Sequence, residues 1–342
     1  MINRRTLLSV SILTLAACGA LLLANISSQN PNDEHHGPPW RSPVASTQSF
    51  HIAGSTIQVD FAPGSIDLPT PQVMQWIENA ATSVATYYGR FPVPRDRILV
   101  VPAPSSPGND RHGVMQGTTW GDVGGSPAFT RIRLGQHSTL QDLADDWMMT
   151  HELTHTGFPS QEDEHHWIEE GLAVYIEPVA RVQAGFLKPE QIWSDMVRDM
   201  PKGNPQSGDQ GLDQTHSWGR TYWGGAQFCL LADVTIREQT HNKKGLQDAL
   251  RAIVAAGGTI DQEWPIRKAL LAGDAGTGTH ILEQQYDHMA SAPVTVDLDG
   301  LWKKLGIVRT ETGVRFDDTA PDAAIRAAIT ATPSTGRIAS SP

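Results

Sequence analysis

The sequence predicts an α+β fold in which a small mixed sheet precedes a mainly helical lobe. Segments with strand-like alternation, separated by Gly and Pro, occupy residues 50–134. From Thr139 onward, apolar residues recur at helical spacing as far as residue 305. The chain has 342 residues, of which 39% are hydrophobic, so it is long enough and apolar enough to bury a core.

Residues 1–26 are predicted to be a targeting segment. Arg4 and Arg5 precede an apolar run over residues 7–26, as in export signals. The run, about 20 residues long, could span a bilayer as an uncleaved anchor. It could also be a cleaved signal or, because Leu15-Ala16-Ala17-Cys18 resembles a lipobox, a lipoprotein signal with the lipid on Cys18. Each alternative places the remaining chain outside the cytoplasm, at the envelope of a bacterial cell, with membrane contact through this segment only.

A linker, one domain and a tail are expected after the targeting segment. Residues 27–49 are rich in Ser, Asn and Pro, which indicates a flexible linker. The folded domain is expected over residues 50–310, followed by a C-terminal tail over residues 311–342 that indicates no chemistry. Within the domain, alternation and turn residues predict strands at 50–61, 97–102, 113–120 and 128–134.

The helices are predicted from apolar periodicity and from their end signals. Thr70-Pro71 begins the first helix and Gly89 ends it, since Pro favours the first helical position and Gly the end. The helix over residues 139–156 marks the boundary between the sheet and the helical lobe. A loop rich in Gly, Pro and Asp occupies residues 201–217. Further helices are predicted at 167–183, 189–200, 219–239, 245–256, 263–272, 280–290 and 298–305.

Charge and cysteine content exclude several classes of protein. The 26 Lys and Arg against 37 Asp and Glu give a net charge of −11, which argues against nucleic-acid binding. Two cysteines, Cys18 and Cys229, cannot form a disulfide framework or a cysteine zinc ribbon. Cys229 lies in an apolar helical run and is expected to be a buried small hydrophobic residue.

The motif that indicates chemistry is His151-Glu152-Leu153-Thr154-His155. Histidines four residues apart lie on the same face of a helix, so both imidazoles can bind one metal ion. Glu152, directly after the first histidine, is placed to act on a metal-activated water as a general base. A catalytic zinc site takes three protein ligands, so a third ligand is required.

Several residues could supply that third ligand. The metzincin spacing fails because position 161 is Gln161. His165 and His166 follow an acidic patch and are expected to be surface histidines. The carboxylates Glu169 and Glu170 lie at the start of the next predicted helix, near enough in the chain to return to the motif.

With the segment Trp167-Ile168-Glu169-Glu170-Gly171-Leu172-Ala173-Val174-Tyr175, the motif resembles the gluzincin metallopeptidases, specifically the aminopeptidase-N-like and glycyl-aminopeptidase-like families. The resemblance implies a thermolysin-like zincin domain that binds Zn²⁺ through His151, His155 and Glu170. It also implies that Tyr222, in Arg220-Thr221-Tyr222-Trp223-Gly224, hydrogen-bonds the tetrahedral intermediate. The implied activity is a zinc-dependent peptidase acting on peptide or protein substrates.

The sequence departs from this family pattern at three points. Gly224 replaces the family's Lys near the tyrosine, and Gln116 stands where the family's amine-binding Glu is expected. No counterpart of the large N-terminal β-domain of the aminopeptidase-N-like enzymes is expected in these 342 residues. Endopeptidase and aminopeptidase activity therefore both stay open, and a weakly active or inactive peptide-binding module is the alternative function.

Other residues near the motif have less specific expectations. His216 precedes Tyr222 and could assist it. Asp145 and Asp146 could orient a histidine ligand or could be solvated. Five tryptophans could line a cleft, although packing in the core is the default expectation: Trp147, Trp167, Trp193, Trp218 and Trp223.

Overall fold

A mixed β-sheet is built mainly from the N-terminal part of the chain. The structure is a computed structural model that describes residues 38–333 and the backbone of residues 340–341. The sheet has the strand order β4-β5-β3-β2-β1-β8, with β2, β3 and β5 parallel and with β4 antiparallel to β5 at one edge. Its strands are β1 (Ser46–Ile52), β2 (Ser55–Phe61), β3 (Arg95–Ala103), β4 (Val114–Val123), β5 (Ser126–Gly135) and β8 (Ser340–Ser341), and a separate hairpin consists of β6 (Ile307–Thr310) and β7 (Gly313–Phe316).

The strand predicted over residues 50–61 is a hairpin of two strands, β1 and β2. Ala53 and Gly54 turn the chain with φ values of 47° and 87°. Two left-handed residues make the tight turn that suits the twist of a hairpin. Strand β1 starts at Ser46, so the predicted linker over residues 27–49 extends too far, because its last four residues pair with β2.

The helices occur in the predicted order along the chain, the first between β2 and β3 and the others after β5, with most ends within three residues of prediction. Gly89 adopts φ 76° after the first helix, as expected of a helix end. The helices are α1 (Thr70–Tyr88), α2 (Leu140–Asp145), α3 (Met148–Thr154), α4 (His166–Ala184), α5 (Pro189–Asp199), α6 (Gly225–Gln239), α7 (Leu246–Ala255), α8 (Ile266–Thr277), α9 (Ile281–Met289), α10 (Leu298–Leu305) and α11 (Ala323–Thr330). Short 3₁₀ turns span Pro39–Arg41, His155–Gly157, Asp163–His165 and Met200–Gly203, and a π-helical turn spans Gly219–Gly224.

The single helix predicted over residues 139–156 is wrong, because the chain breaks at Asp146. Asp146 has an extended backbone (ψ 133°), and its carboxylate accepts hydrogen bonds from the N–H groups of Met148 and Met149 at 3.1 and 3.0 Å. The side chain therefore satisfies the exposed donors at the start of α3. The Asp146 side chain thus supports the motif helix by binding the backbone of its first turn, not by contacting a histidine ring.

The predicted C-terminal tail over residues 311–342 is also wrong, since much of it is folded. Strand β7 pairs with β6, and α11 buries Ile325 and Ile329. Gln183 on α4 donates a hydrogen bond of 2.9 Å to the Ile329 carbonyl. The C-terminal helix thus packs against α4, the helix that carries Glu170.

A buried polar network joins the long helices behind the motif. The Tyr175 hydroxyl on α4 donates to Asp233 on α6 at 2.8 Å, and Arg237 donates to the same carboxylate at 2.7 Å. Cys229 is fully buried and free, as predicted. Among residues 38–333, none of the helices combines the length and apolar character needed to cross a bilayer. The predicted targeting segment, with Cys18, lies outside the described residues.

Candidate metal centre

Helix α3 places the two motif histidines side by side. His151 is buried, with 4% of its surface exposed, and His155 begins the 3₁₀ turn that follows α3. Their ring centroids are 5.0 Å apart. The helical turn between them is therefore the one that the motif spacing predicts.

Glu170 completes a three-residue cluster from the next helix. Its Oε2 lies 3.1 Å from Nε2 of His151 and 4.0 Å from Nε2 of His155. One donor atom from each of these three residues lies within 4.8 Å of the others. Glu169, the neighbouring carboxylate, instead lies 3.4 Å from Nδ1 of His166. The geometry thus distinguishes Glu170 from Glu169, in agreement with the residue that the family resemblance implies.

Close packing of α4 against α6 fixes the position of Glu170. A Cβ atom on Gly171 would lie 2.3 to 2.4 Å from the backbone of Gly225, so only two glycines allow this approach. At the start of α4, the buried Trp167 indole donates a hydrogen bond of 2.7 Å to Asp213. These contacts place the first turn of α4 beside α3.

The electrostatics of the cluster favour a bound cation. Burial alone would raise the pKa of Glu170, but hydrogen bonds to His151 and His166 and the nearby histidine charges hold it well below its ordinary value. Burial lowers the pKa of His155 from 6.5 to about 4, so this imidazole is neutral near pH 7. A deprotonated carboxylate and a neutral imidazole are the forms that ligate a metal.

Burial also lowers the pKa of His151, but the Glu170 carboxylate outweighs it and the net shift is upward. Nε2 of His151 faces this carboxylate at 3.1 Å. A divalent cation would be a positive partner for Glu170 at this position. The described residues thus fit a metal ion with two imidazole ligands and one carboxylate ligand.

Glu152 lies between α3 and the edge strand β4. Thr119 on β4 donates a hydrogen bond of 2.9 Å to Oε2 of Glu152. A Cβ atom on Gly117 of β4 would lie 2.6 Å from Cγ of Glu152. The Glu152 side chain therefore fits against the strand only because residue 117 is a glycine. Burial raises the pKa of Glu152 from 4.5 to about 7, a value suited to a general base near neutrality.

Tyr222 lies on the π-helical turn that precedes α6. Its ring stacks on His151 with centroids 6.5 Å apart. Burial raises the pKa of Tyr222, and the charges of Glu170 and Glu152 raise it further, so the hydroxyl keeps its proton and can donate a hydrogen bond. Arg220, which is 1% exposed, holds this turn through Asp209 at 2.8 Å.

The remaining predicted residues lie elsewhere or have other partners. His165 was expected at the surface, but it is buried and its Nδ1 lies 3.1 Å from Asp213. His216 is exposed. Gln116 lies at an irregularity in the β4–β5 register, beside the exposed Met115. The first two residues are thus outside the cluster, and Gln116 offers no charge.

Sequence reasoning missed two contacts of the cluster. Nε2 of His166 lies 3.3 Å from Oε1 of Glu170, the carboxylate oxygen that faces away from His151. Thr119 was not singled out, because one Thr on a strand has no distinguishing signal. The repeated His165-His166 pair was a signal for His166, but only the direction of α4 shows which of the two reaches Glu170.

A second group of possible ligand residues consists of Asp274, His280 and Glu283. Both carboxylate oxygens of Asp274 already accept backbone N–H groups at the start of α9, from Leu282 at 3.0 Å and Glu283 at 3.1 Å. Helix capping therefore accounts for this group.

Comparison with solved structures identifies a similar fold. An aminopeptidase N family protein from Idiomarina loihiensis superposes with a TM-score of 0.55 and 13% sequence identity, covering 77% of this chain and 49% of that one. An M1 zinc metallopeptidase from Deinococcus radiodurans gives a TM-score of 0.47 and 13% identity, covering 75% of this chain and 53% of that one. No protein-family model and no curated protein matches the sequence.

The chain has a fold resembling that of an aminopeptidase N family protein. The resemblance to aminopeptidase-N-like structures predicted from the sequence is thus confirmed for the fold. The chain spans about half the length of the solved structures it matches. At 13% sequence identity the similarity concerns the fold, and the activity of that protein is not assigned to this chain by it.

Proposed function

We propose that this protein is a zinc-dependent peptidase that acts outside the cytoplasm. The observation that supports the proposal is the convergence of His151, His155 and Glu170 beside the buried carboxylate of Glu152. The fold similarity to an aminopeptidase N family protein supports the same class of reaction. The basic and apolar sequence of residues 1–26 supports the proposed location.

The ligand residues that would hold zinc are His151, His155 and Glu170. Two imidazole nitrogens and one carboxylate oxygen are a ligand set typical of catalytic zinc, and they leave a coordination position open. When bound, zinc makes a water molecule more acidic and polarises a carbonyl group. His166 contacts the second oxygen of Glu170 and would orient this carboxylate.

The other residues of the site have separate roles in peptide hydrolysis. Glu152 accepts a proton from the attacking water and returns it to the leaving amine. Thr119 holds the Glu152 carboxylate in place through its 2.9 Å hydrogen bond. Tyr222 donates its hydroxyl proton in a hydrogen bond to the oxygen that becomes negative when the carbonyl is attacked.

Two variants of the purified protein test the proposal. Glu152→Gln should keep one equivalent of zinc but lose cleavage of a mixed peptide library by about a hundredfold or more. Glu170→Gln should lose the metal, and its neighbour Glu169→Gln is the matched control that should retain it. Metal content is measured on the purified protein, and cleavage is followed with and without a chelator.

Each result has a clear consequence. Equal turnover by the wild type and Glu152→Gln would refute the role of Glu152. If Glu170→Gln retained zinc and Glu169→Gln lost it, the third ligand would be Glu169 and not Glu170. Tight peptide binding without any turnover in the wild type would instead favour an inactive peptide-binding module, for which the uncharged Gln116 is the supporting observation.

A further inference from the structure

Four aromatic rings form a continuous row across the candidate metal centre. Trp147 meets the His151 ring edge-on with centroids 5.3 Å apart. His151 stacks on Tyr222 at 6.5 Å, and Tyr222 stacks on Trp218 at 6.0 Å. The proposed ligand His151 and Tyr222 therefore lie in the middle of the row, and an indole lies at each end.

Both ends of the row are open to solvent. Trp147 is 49% exposed and Trp218 is 48% exposed, whereas Trp167 and Trp193 are buried in the core. Within residues 38–333, these two are the only tryptophans among the exposed large hydrophobic side chains. Exposed indoles lose the stabilisation that burial gives, so two of them beside one buried site point to a ligand.

The two indoles are held by different parts of the fold. The Trp147 carbonyl accepts the His151 N–H at 3.0 Å, which ties Trp147 to the first turn of α3. Trp218 lies 5.8 Å from the ammonium of Lys202, which is itself paired with Asp199 at 2.8 Å. Each indole also contacts a neighbouring side chain, Trp147 the His151 ring and Trp218 the Tyr222 ring.

We propose that Trp147 and Trp218 are substrate-binding residues that contact aromatic side chains of a peptide on the two sides of the bond to be cleaved. This inference rests on the proposed peptidase function. A peptide whose carbonyl group lies beside His151 and Tyr222 has its neighbouring residues near the two indoles. Aromatic side chains suit these surfaces because ring stacking adds to the burial of apolar area.

The preference also agrees with the polar groups around the centre. Glu152 and Glu170 already have partners within the site, and Lys202, which lies over the Trp218 ring, is paired with Asp199. Gln116, which stands where the related enzymes are expected to bind an amine, is uncharged. Apolar contact with the indoles is therefore the main source of specificity that the described residues offer.

Binding measurements test this inference separately from turnover. The probe is a pair of terminally blocked peptides that differ only in Phe or Ala residues flanking one peptide bond, titrated against zinc-loaded Glu152→Gln protein. We expect the Phe peptide to bind at least about tenfold more tightly than the Ala peptide. Adding Trp147→Ala or Trp218→Ala should remove most of that difference.

Two further variants guard against structural effects. Phe186→Ala is the matched control, because Phe186 is 43% exposed but lies outside the row of rings, and it should keep the Phe preference. Trp147→Phe keeps an aromatic ring at the start of α3 and should keep part of the preference. Zinc content and far-ultraviolet circular dichroism should match among all variants.

The outcomes separate the inference from the proposed function. A Trp-dependent Phe preference in a protein that cleaves no peptide would refute the peptidase function and leave the binding site intact. Cleavage of both peptides with equal kcat/KM, or binding unaffected by either Trp substitution, would overturn the inference alone. Failure to bind either peptide, or Trp-dependent binding of an oligosaccharide without any Phe preference, would overturn it as well.

Discussion

Asp96 offers a quantitative test of how burial controls ionisation in this fold. It lies on β3 between Ile57 and Ala128, both fully buried, and is itself 1% exposed. Neither carboxylate oxygen accepts a well-formed hydrogen bond from the residues that the structure describes. Burial raises the pKa of Asp96 from 3.8 to about 7.

The perturbation is Asp96→Asn, which keeps the shape of the side chain and removes the ionisation. Because the folded-state pKa exceeds the unfolded-state pKa, the folded protein binds the proton more tightly. The wild type therefore loses stability as pH rises from about 4 to about 7. Each pKa unit is worth about 1.4 kcal/mol, so the full loss is about 4 kcal/mol.

The assay is urea unfolding of the wild type and Asp96→Asn at several pH values from 4.5 to about 8.5. Over this range the difference in unfolding free energy should move in favour of the variant by about 3 kcal/mol, mostly below pH 7, because part of the full loss already occurs below pH 4.5. Other titrating groups are common to both proteins and cancel. A difference that does not change with pH would refute the reasoning.

Asp60 provides the matched control on the neighbouring strand. It is also 1% exposed, but it accepts a hydrogen bond from Arg97 at 2.6 Å and another from Thr47 at 2.7 Å. Asp60→Asn should therefore destabilise the protein at neutral pH, since it breaks a buried charged pair. Opposite signs for the two substitutions at pH 8 would show that the partners of a buried carboxylate decide its effect.

The remaining predictions concern the groups that position the site. Thr119→Val should lower kcat by about tenfold to a hundredfold with unchanged zinc content, whereas Thr119→Ser, which keeps the hydroxyl, should retain most activity in the same assay. Gly117→Ala should reduce peptide cleavage without releasing the metal, because its Cβ would displace Glu152; full activity would disprove this contact. Gly171→Ala should lower the unfolding free energy by about 1–3 kcal/mol and weaken zinc binding, as measured by thermal denaturation and chelator competition, and wild-type stability would contradict the close approach to Gly225.

Local sequence patterns predicted most of the secondary structure, and they failed where capping by a side chain or packing between distant segments decided it. Helix α1 ends at Gly89 because the residue itself favours the left-handed conformation. The break at Asp146 was missed because the apolar pattern continues through it, whereas the Asp146 side chain caps a new helix there. The folded C-terminal part was missed because α11 is short and obtains its stability from packing on α4.

Prediction of the site shows the same division between local and distant contacts. The spacing of His151 and His155 places both imidazoles on one helix face wherever that helix lies in the fold. The choice of Glu170 over Glu169 or His165 depends on the direction of α4, which the Gly171–Gly225 contact determines. Thr119 reaches Glu152 from a strand 33 residues earlier in the chain, and no sequence pattern specifies that approach.

The order of the elements, the position of the paired histidines and the negative charge of the chain follow from the sequence itself, because they depend on residue type and short spacing. The family resemblance implied Glu170 as the third ligand, but the tertiary structure is what brings it to the histidines, and it alone decided what holds the general base and which tryptophans stay exposed. These features depend on how separate helices and a strand pack, and packing contacts join residues that are far apart in the chain.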